Sequence, residues 1–536
     1  MNNLREKLLP RNELIPPPQE QKSLMPFANL HPDEDVDINS SSSGPVTTPV
    51  APCSRTNNLY LAAWLISISS FMWGFSAAVL NVCIVPDAVG SLLVDINLST
   101  VEQERATALV VVGCLVSAVT TGGVGARLGL KKTILGNNVI YLAGSAFCAL
   151  ATSKHMLYVG RLLLGLASGV VTNTVPVLLT DISPAASRGE ITALHQLSLT
   201  IGMLTSALLG FFVVARVPSG WRYLNGFMML PPLVQSLSMA LVPESPWWLM
   251  KNRGYEECRA TLIFLRPSCD KDAVEAEVQE IAQAMKRRQR DTHAAWLHLW
   301  THKKVVAAGS ILVFFQAMSG INTVMLYSAK IFHFAGVTNP FFATTVVTLM
   351  NAGVTIVSAR LVDSYGRRPL LILGSTIMIV ALGVLSSSLL YLGNNLRLQG
   401  VVAVISVLAF VGGFAMGLGA VVWVMLGDIT PVHIRSQAFS LYMVVSYICN
   451  ILIAVYTLSA INFLGRGSDP EKNGIAKLYM IFSGIVAVCL VYIYYFVEET
   501  SYAKTVSAKA TEDQQALLAE EGQETVEEEF RQMTDL

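Results

Sequence analysis

Two short charged runs occur twice in this chain. Asp181-Ile182-Ser183-Pro184 is followed by Arg188, and Asp428-Ile429-Thr430-Pro431 by Arg435, so D-I-[ST]-P-x-x-x-R is duplicated. A second pair is Arg127-Leu128-Gly129-Leu130-Lys131 and Ser364-Tyr365-Gly366-Arg367-Arg368. Each run ends a long apolar stretch, and a proline at such a place ends a helix. The carboxylate before the proline and the arginine after it are then held beside the basic loops of neighbouring helices. The chemistry is ion pairing. Asp181, Arg188, Arg127, Lys131, Asp428, Arg435, Arg367 and Arg368 are expected to form a clamp that shuts one side of the molecule.

The elements that must position these charges are membrane helices. The chain has 536 residues, 53% hydrophobic and 14% charged, against about a quarter charged in a soluble domain. Its mean hydropathy is +0.52. A bilayer core of about 30 Å needs about 20 apolar residues per helix. Twelve stretches qualify: 59–80, 106–125, 133–151, 156–179, 191–214, 223–242, 305–327, 341–362, 370–391, 401–427, 438–463 and 478–497. The expected fold is an all-α membrane protein. Residues 1–58 form a polar, disordered N-terminal tail and 59–243 a first six-helix bundle. Residues 244–304 form a loop with short helices, 305–500 a second bundle and 501–536 a C-terminal tail.

Lys and Arg collect in the loops after the second, sixth and eighth stretches, and the positive-inside bias makes these loops and both tails cytoplasmic. Asn97-Leu98-Ser99 then lies outside, and Asn97 is an N-glycan acceptor by pattern. Both duplicated runs have partners six helices away. Two six-helix halves related by an axis along the membrane normal are one known transporter plan. Net charge is zero, with 37 basic and 37 acidic residues, so nothing points to nucleic acid. Five of the eight cysteines lie in apolar runs and none has metal-ligand spacing, so neither metal nor redox chemistry is expected. No paired intramembrane acids, G-x-S-x-G or phosphate-binding glycine loop is present. No enzyme, catalytic residue or cofactor is expected.

Further motifs resemble the sugar porter family of the major facilitator superfamily over about residues 59–501. Gly160-Arg161 with Gly165, Gly169, Pro176 and the Asp181 run is similar to the family's fourth-helix signature. Pro243-Glu244-Ser245-Pro246-Trp247-Trp248-Leu249 resembles P-E-S-P-R-x-L, with Trp in place of Arg. Gln316-Ala317-Met318-Ser319-Gly320-Ile321-Asn322 resembles Q-Q-L-S-G-I-N, and His195-Gln196-Leu197 a fifth-helix Q-L. The resemblance implies twelve transmembrane helices in two pseudo-symmetric bundles, the major facilitator fold. It implies that Gln196, Gln316, Asn322, Asn351 and Asn450 line a sugar site, with Trp423 stacking on the ring and Tyr327 closing the outer gate. Amides suit this role because each offers a donor and an acceptor, and polar groups within membrane spans mark solute paths.

The departures bear on substrate. Ala317 replaces the second Gln, Ala415 stands where many hexose carriers have Glu, and Ser446 where Asn is common. Glycine and apolar residues at 417–422 replace a proline-rich stretch, so that helix is expected to be less broken. Proton-coupled relatives usually carry a first-helix carboxylate, and Ser76 stands there instead. No acid lies mid-span in these twelve stretches, and His195 is read as a packed polar residue. The expected activity is alternating-access movement of a hexose or related polyol by facilitated diffusion. The alternatives are a proton-coupled symporter and a transporter-like nutrient sensor. The expected setting is the plasma membrane, multi-pass in the bilayer. Asp513 through Leu517 and Leu518 make a D-x-x-x-L-L pattern that would engage a sorting adaptor and cycle the protein through endosomes.

If the charged runs clamp the cytoplasmic side, the charge reversal Asp428→Lys shifts the protein toward its inward-open state. Cysteine probes on the cytoplasmic side would then react faster. Unchanged probe reactivity would sink the clamp.

Overall fold

The computed structural model describes residues 56–497, apart from 87, 185–186, 268, 270, 292–300, 335–336, 338, 392–395, 420, 431–433 and 466–469. The Leu517 and Leu518 pattern, residues 1–55 and residues 498–536 lie outside the described residues. Among those residues the regular structure is helical.

Ten helices are long and apolar enough to cross a membrane. Leu130–Ala149, twenty residues, carries Lys131, Lys132, Asn137 and Asn138, which lower its hydropathy. Gly220–Leu241 passes the test jointly with Pro246–Asn252, to which it is bent by 61°. Counting these two, twelve spans result, in the order expected. The second span starts earlier than expected, at Thr100. Its helix is opened by a capping box in which Ser99 and Glu102 satisfy each other's backbone amides. Glu104 therefore lies within the second span, and at 2% exposure it is the one buried carboxylate among the described residues. It sits about 6 Å along the helix from Thr100, near the end of the span, so what differs from the expectation is the span's boundary, expected at 106.

Each half packs its own helices closely. In the first, span two lies on span four, and span one on span five. Close approach is set by glycine: a Cβ on Gly165 of the fourth span would lie 2.2 Å from the Val110 carbonyl of the second. In the second half, span nine packs on spans ten and twelve. The halves meet where span two faces span eleven, span five faces span eight, and span one faces span seven. Shifting span numbers by six exchanges the first two of these seams and maps the third onto itself. The packing thus carries the two-fold relation that the duplicated motifs suggested.

Three helices, Pro246–Asn252, Tyr255–Leu265 and Lys271–Asp291, link the halves. Leu249, Cys258, Leu262, Val274, Val278 and Ile281 bury one another there. The second helix is held to the start of the first span, because Thr56 Oγ1 donates to the Leu265 carbonyl at 2.6 Å and Asn58 Nδ2 to that of Phe264 at 3.0 Å. On the opposite face, Asp95 accepts from Ser219 Oγ at 2.7 Å and Trp221 Nε1 at 2.8 Å, joining two loops. The Ser219 bond, with that of Trp221 and the nearby Arg222 cation, holds the Asp95 carboxyl below its ordinary range. This contribution is present above the ordinary carboxylate pKa and is lost as pH falls through the depressed value.

Gly129 and Gly366, the glycines of the duplicated basic run, both have positive φ, +94° and +89°. They turn the chain between spans two and three and between eight and nine. With ψ at 156°, Gly129 occupies a region essentially reserved for glycine. A Cβ there would also lie 2.3 Å from Glu244 Oε2. Gly129→Ala should lower unfolding stability in detergent by about 1–3 kcal/mol. A loss under about 0.5 kcal/mol would show that the turn adapts.

Candidate functional site

The polar residues inside the bundle are placed by helical period. On the fifth span the large exposed side chains Ile201, Leu208 and Phe212 form one row. Gln196 lies about 140° around the helix from it, at 3.6 residues per turn. On the eighth span Phe342, Leu349 and Ile356 form the outward row, and Asn351 lies about 160° away. On the eleventh span Leu441, Ile448 and Leu452 face outward, and Asn450 lies about 180° away. Amides from both halves therefore point away from the lipid-facing rows.

Their pairing differs. Gln196 is exposed and Asn351 half-buried, and neither side chain takes part in a hydrogen bond among the described residues. Asn322 of the seventh span donates to Asn450 Oδ1, and Asn450 Nδ2 lies 3.5 Å from Ser446 Oγ. Gln316 is buried, and its Nε2 donates to the carbonyls of Leu418 at 2.7 Å and Gly419 at 3.3 Å. Those carbonyls belong to a π turn, Ala415–Gly419, that interrupts the tenth span. Glycine does the work without proline, since Gly413 and Gly417 let this segment press on Gly374 of the ninth span. Trp423 follows the turn with its ring 6.4 Å from that of Phe439.

His195 is packed: its Nδ1 is 2.7 Å from Ser70 Oγ and its ring stacks on Trp73 at 5.8 Å. Ser76 donates to the Trp73 carbonyl at 2.9 Å and lies 3.0 Å from Ser168 Oγ. Beside it, buried Arg161 donates to the carbonyls of Ser76 and Ala106 at 3.1 and 3.3 Å.

The charged runs assemble on the basic face. Glu244 Oε1 accepts from the backbone amides of Leu130 at 2.9 Å, Lys131 at 3.1 Å and Ser245 at 3.0 Å. A carboxylate over a helix N-terminus is favourably placed. Ser245 Oγ donates to Asp181, and Trp248 Nε1 to the Ala126 carbonyl at 3.1 Å. Arg127 and Arg188 are exposed. Arg368 donates to the Tyr494 carbonyl at 2.7 Å and lies over the Tyr494 ring, beside half-buried Arg367. These contacts run within one half. The side chains of Asp428 and Arg435 lie outside the described residues.

Between the halves, contacts run from the outer end to about the middle of the bundle. Asn81 of span one donates to Ser328 Oγ at 2.8 Å and accepts from the Ala329 amide at 3.1 Å. Glu104 accepts from the amide and the hydroxyl of Ser459 in span eleven, each at 2.6 Å. Phe211 meets Phe342 at 6.3 Å, and Thr172 Oγ1 meets the Tyr447 hydroxyl at 3.1 Å. Tyr327, buried, donates to the Ala454 carbonyl at 3.0 Å beside Thr107. Toward the basic face, Gly122, Gly123 and Val124 of span two are all exposed, as are residues 126–128. The described contacts between the halves thus lie from the middle of the bundle to the side away from the basic face. Asn81, Glu104 and Ser459 were missed from sequence. The signal for Glu104 was the S-x-x-E cap, which places the helix start before it.

Two six-helix halves packed in this way, with inward amides from both, define a major facilitator transporter. A family model described as "Sugar (and other) transporter" matches residues 62–509, and the chain belongs to that family. It is 30% identical over 485 residues to the facilitated glucose transporter member 3 of solute carrier family 2 from Canis lupus familiaris, covering 87% of this chain and 95% of the relative. It is 28% identical over 412 residues to the galactose-proton symporter of Escherichia coli K12, covering 76% and 86%. Among solved structures, the xylose transporter XylE from E. coli in a partially occluded inward-open conformation matches with a TM-score of 0.68 at 20% identity. That match covers 83% of this chain and all of the other.

The pairing difference predicts a difference in stability. Gln316→Ala leaves a buried carbonyl without its donor and should cost about 1–3 kcal/mol. Asn351→Ala breaks no internal bond and should stay within about 0.5 kcal/mol. Equal losses in thermal unfolding would contradict this reading of the two amides.

Proposed function

We propose that the protein carries a hexose or a related polyol across a membrane by alternating access, as a uniporter. The observation that carries this reading is the set of amides facing inward from spans five, seven, eight and eleven. Two of them, on Gln196 and Asn351, have hydrogen-bonding capacity left over. A sugar hydroxyl needs a donor and an acceptor, and an amide presents both. Gln316, Asn322 and Asn450 supply the remaining contacts by exchanging their internal partners for the solute, and Trp423 covers the ring. Tyr327 closes the outer side, and the charges of the two duplicated runs clamp the cytoplasmic side once the basic ends of the halves meet. The basic face is cytoplasmic, Asn97 is glycosylated outside, and the protein works at the plasma membrane. Leu517 and Leu518 engage a sorting adaptor.

The uniport reading is favoured by Ser76, a hydroxyl bonded to its own half. The second reading, proton symport, draws on the similarity to a galactose-proton symporter. A purely sensing role is separated from both by flux.

Purified protein in liposomes should show saturable, counterflow-competent uptake of at least one labelled hexose or polyol. Gln196→Ala and Asn351→Ala should each weaken uptake about tenfold, the equivalent of one hydrogen bond of about 1.4 kcal/mol. External pH should not rise during uptake. Alkalinisation that depends on the solute would establish symport. Absence of flux from well-folded, inserted protein would overturn the carrier reading.

A further inference from the structure

Glu104 is a buried carboxylate for which the transport reading above has no use. It lies on the second span of one half, and both its oxygens accept bonds from one residue of the other half, Ser459. Both bonds are 2.6 Å long. Its neighbours add no second carboxylate. Glu102, two residues before it and so about 200° around the helix, is turned to Lys154 and the Ser99 amide. Arg105 is exposed. Arg161 of the fourth span spends its described bonds on carbonyls. Tyr327 approaches from the seventh span and donates to Ala454. The carboxylate therefore depends on Ser459 for its described partners, and Ser459 is carried by the half that must move.

We propose that the Glu104–Ser459 pair is the latch that holds the outer side of the transporter shut. Glu104 is a positioning residue: it touches no solute and acts by fixing span two against span eleven. It rests on the alternating-access reading, since only a protein whose halves part at this seam has anything to latch. Outward opening separates the pair, and both partners pass from each other to water. The adjacent contacts of Asn81 with Ser328 and Ala329 join spans one and seven on the same side, so the latch fastens one flank of a seal that Asn81 fastens at the centre.

The test uses the full-length protein in liposomes without solute. Thr107→Cys places a thiol one turn below Glu104, at a position 2% exposed. A membrane-impermeant maleimide is added from the outer face, and labelling is counted over that of the parent lacking this cysteine. With the latch removed by Glu104→Ala, labelling of Cys at this site should accelerate roughly tenfold, the equivalent of one lost charge-assisted bond. Ser459→Ala should fall between, since the backbone amide still donates. Glu104→Gln should stay within about twofold of the parent, because its carbonyl accepts from the amide and its NH2 donates to the hydroxyl. Unchanged labelling in both alanine variants overturns the latch. A rise in Glu104→Ala that Glu104→Gln does not reverse is general loosening and equally overturns it. If Glu104→Ala fails to insert, the comparison of Ser459→Ala with the parent decides. Because no solute is present, failure of the sugar reading leaves this result standing, and the converse also holds.

Discussion

Hydrocarbon offers no partner to a polar group, so every amide, carbonyl and carboxylate within the bundle must be satisfied by the protein or by water in a path through it. The architecture follows from this constraint. It forces the backbone into helices and makes any interruption of a helix answerable to a side chain. The π turn at Ala415–Gly419 is tolerated because Gln316 reaches two of its carbonyls. Buried Arg161 is tolerated because its guanidinium finds two more. Polar side chains that lack such a partner and still face inward are then meaningful, which is why Gln196 and Asn351 stand out against Gln316.

The same constraint explains how two halves can separate without unfolding. Among the described residues, backbone-to-backbone bonds stay within each half, and every hydrogen bond between halves has a side chain on at least one side. Interior packing is dense and not continuously deformable, so motion concentrates at the seams. The two-fold relation pairs the seam of spans two and eleven with that of spans five and eight. The chemistry on them nevertheless differs: a carboxylate bridge at one and the aromatic pair Phe211 and Phe342 at the other. Symmetric backbone thus carries asymmetric fastening.

Much of this was legible in the sequence. Apolar runs of spanning length, broken by basic loops, set out the helices, and the duplicated runs set out the two halves. The glycines Gly129 and Gly366 appear in those runs because only glycine accepts the turn each makes. What could not be read was pairing over long sequence distances. Glu104 falls outside the apolar run because charges at 102, 104 and 105 cut that run short. Its burial is decided by Ser459, 355 residues later. For the amides, period gave the inward face, but nothing local distinguishes Gln316, engaged by a distant π turn, from Asn351, which is not. In the tenth span, the close approach beside the π turn rests on glycine against glycine at 374, 413 and 417, a pairing between residues about 40 positions apart.

If Gln316 meets the solute as proposed, its bond to the tenth span gives recognition a mechanical side. A ligand that draws this amide toward itself strips the donor from Leu418 and Gly419 at a point where the helix is already wound loosely. A ligand of similar shape that leaves the amide in place does not disturb that winding. On that reading occupancy and actuation would be separable: one a matter of fitting between the halves, the other of whether a single side chain changes allegiance. Molecules of the first kind only would plug the carrier, and those of both kinds would turn it.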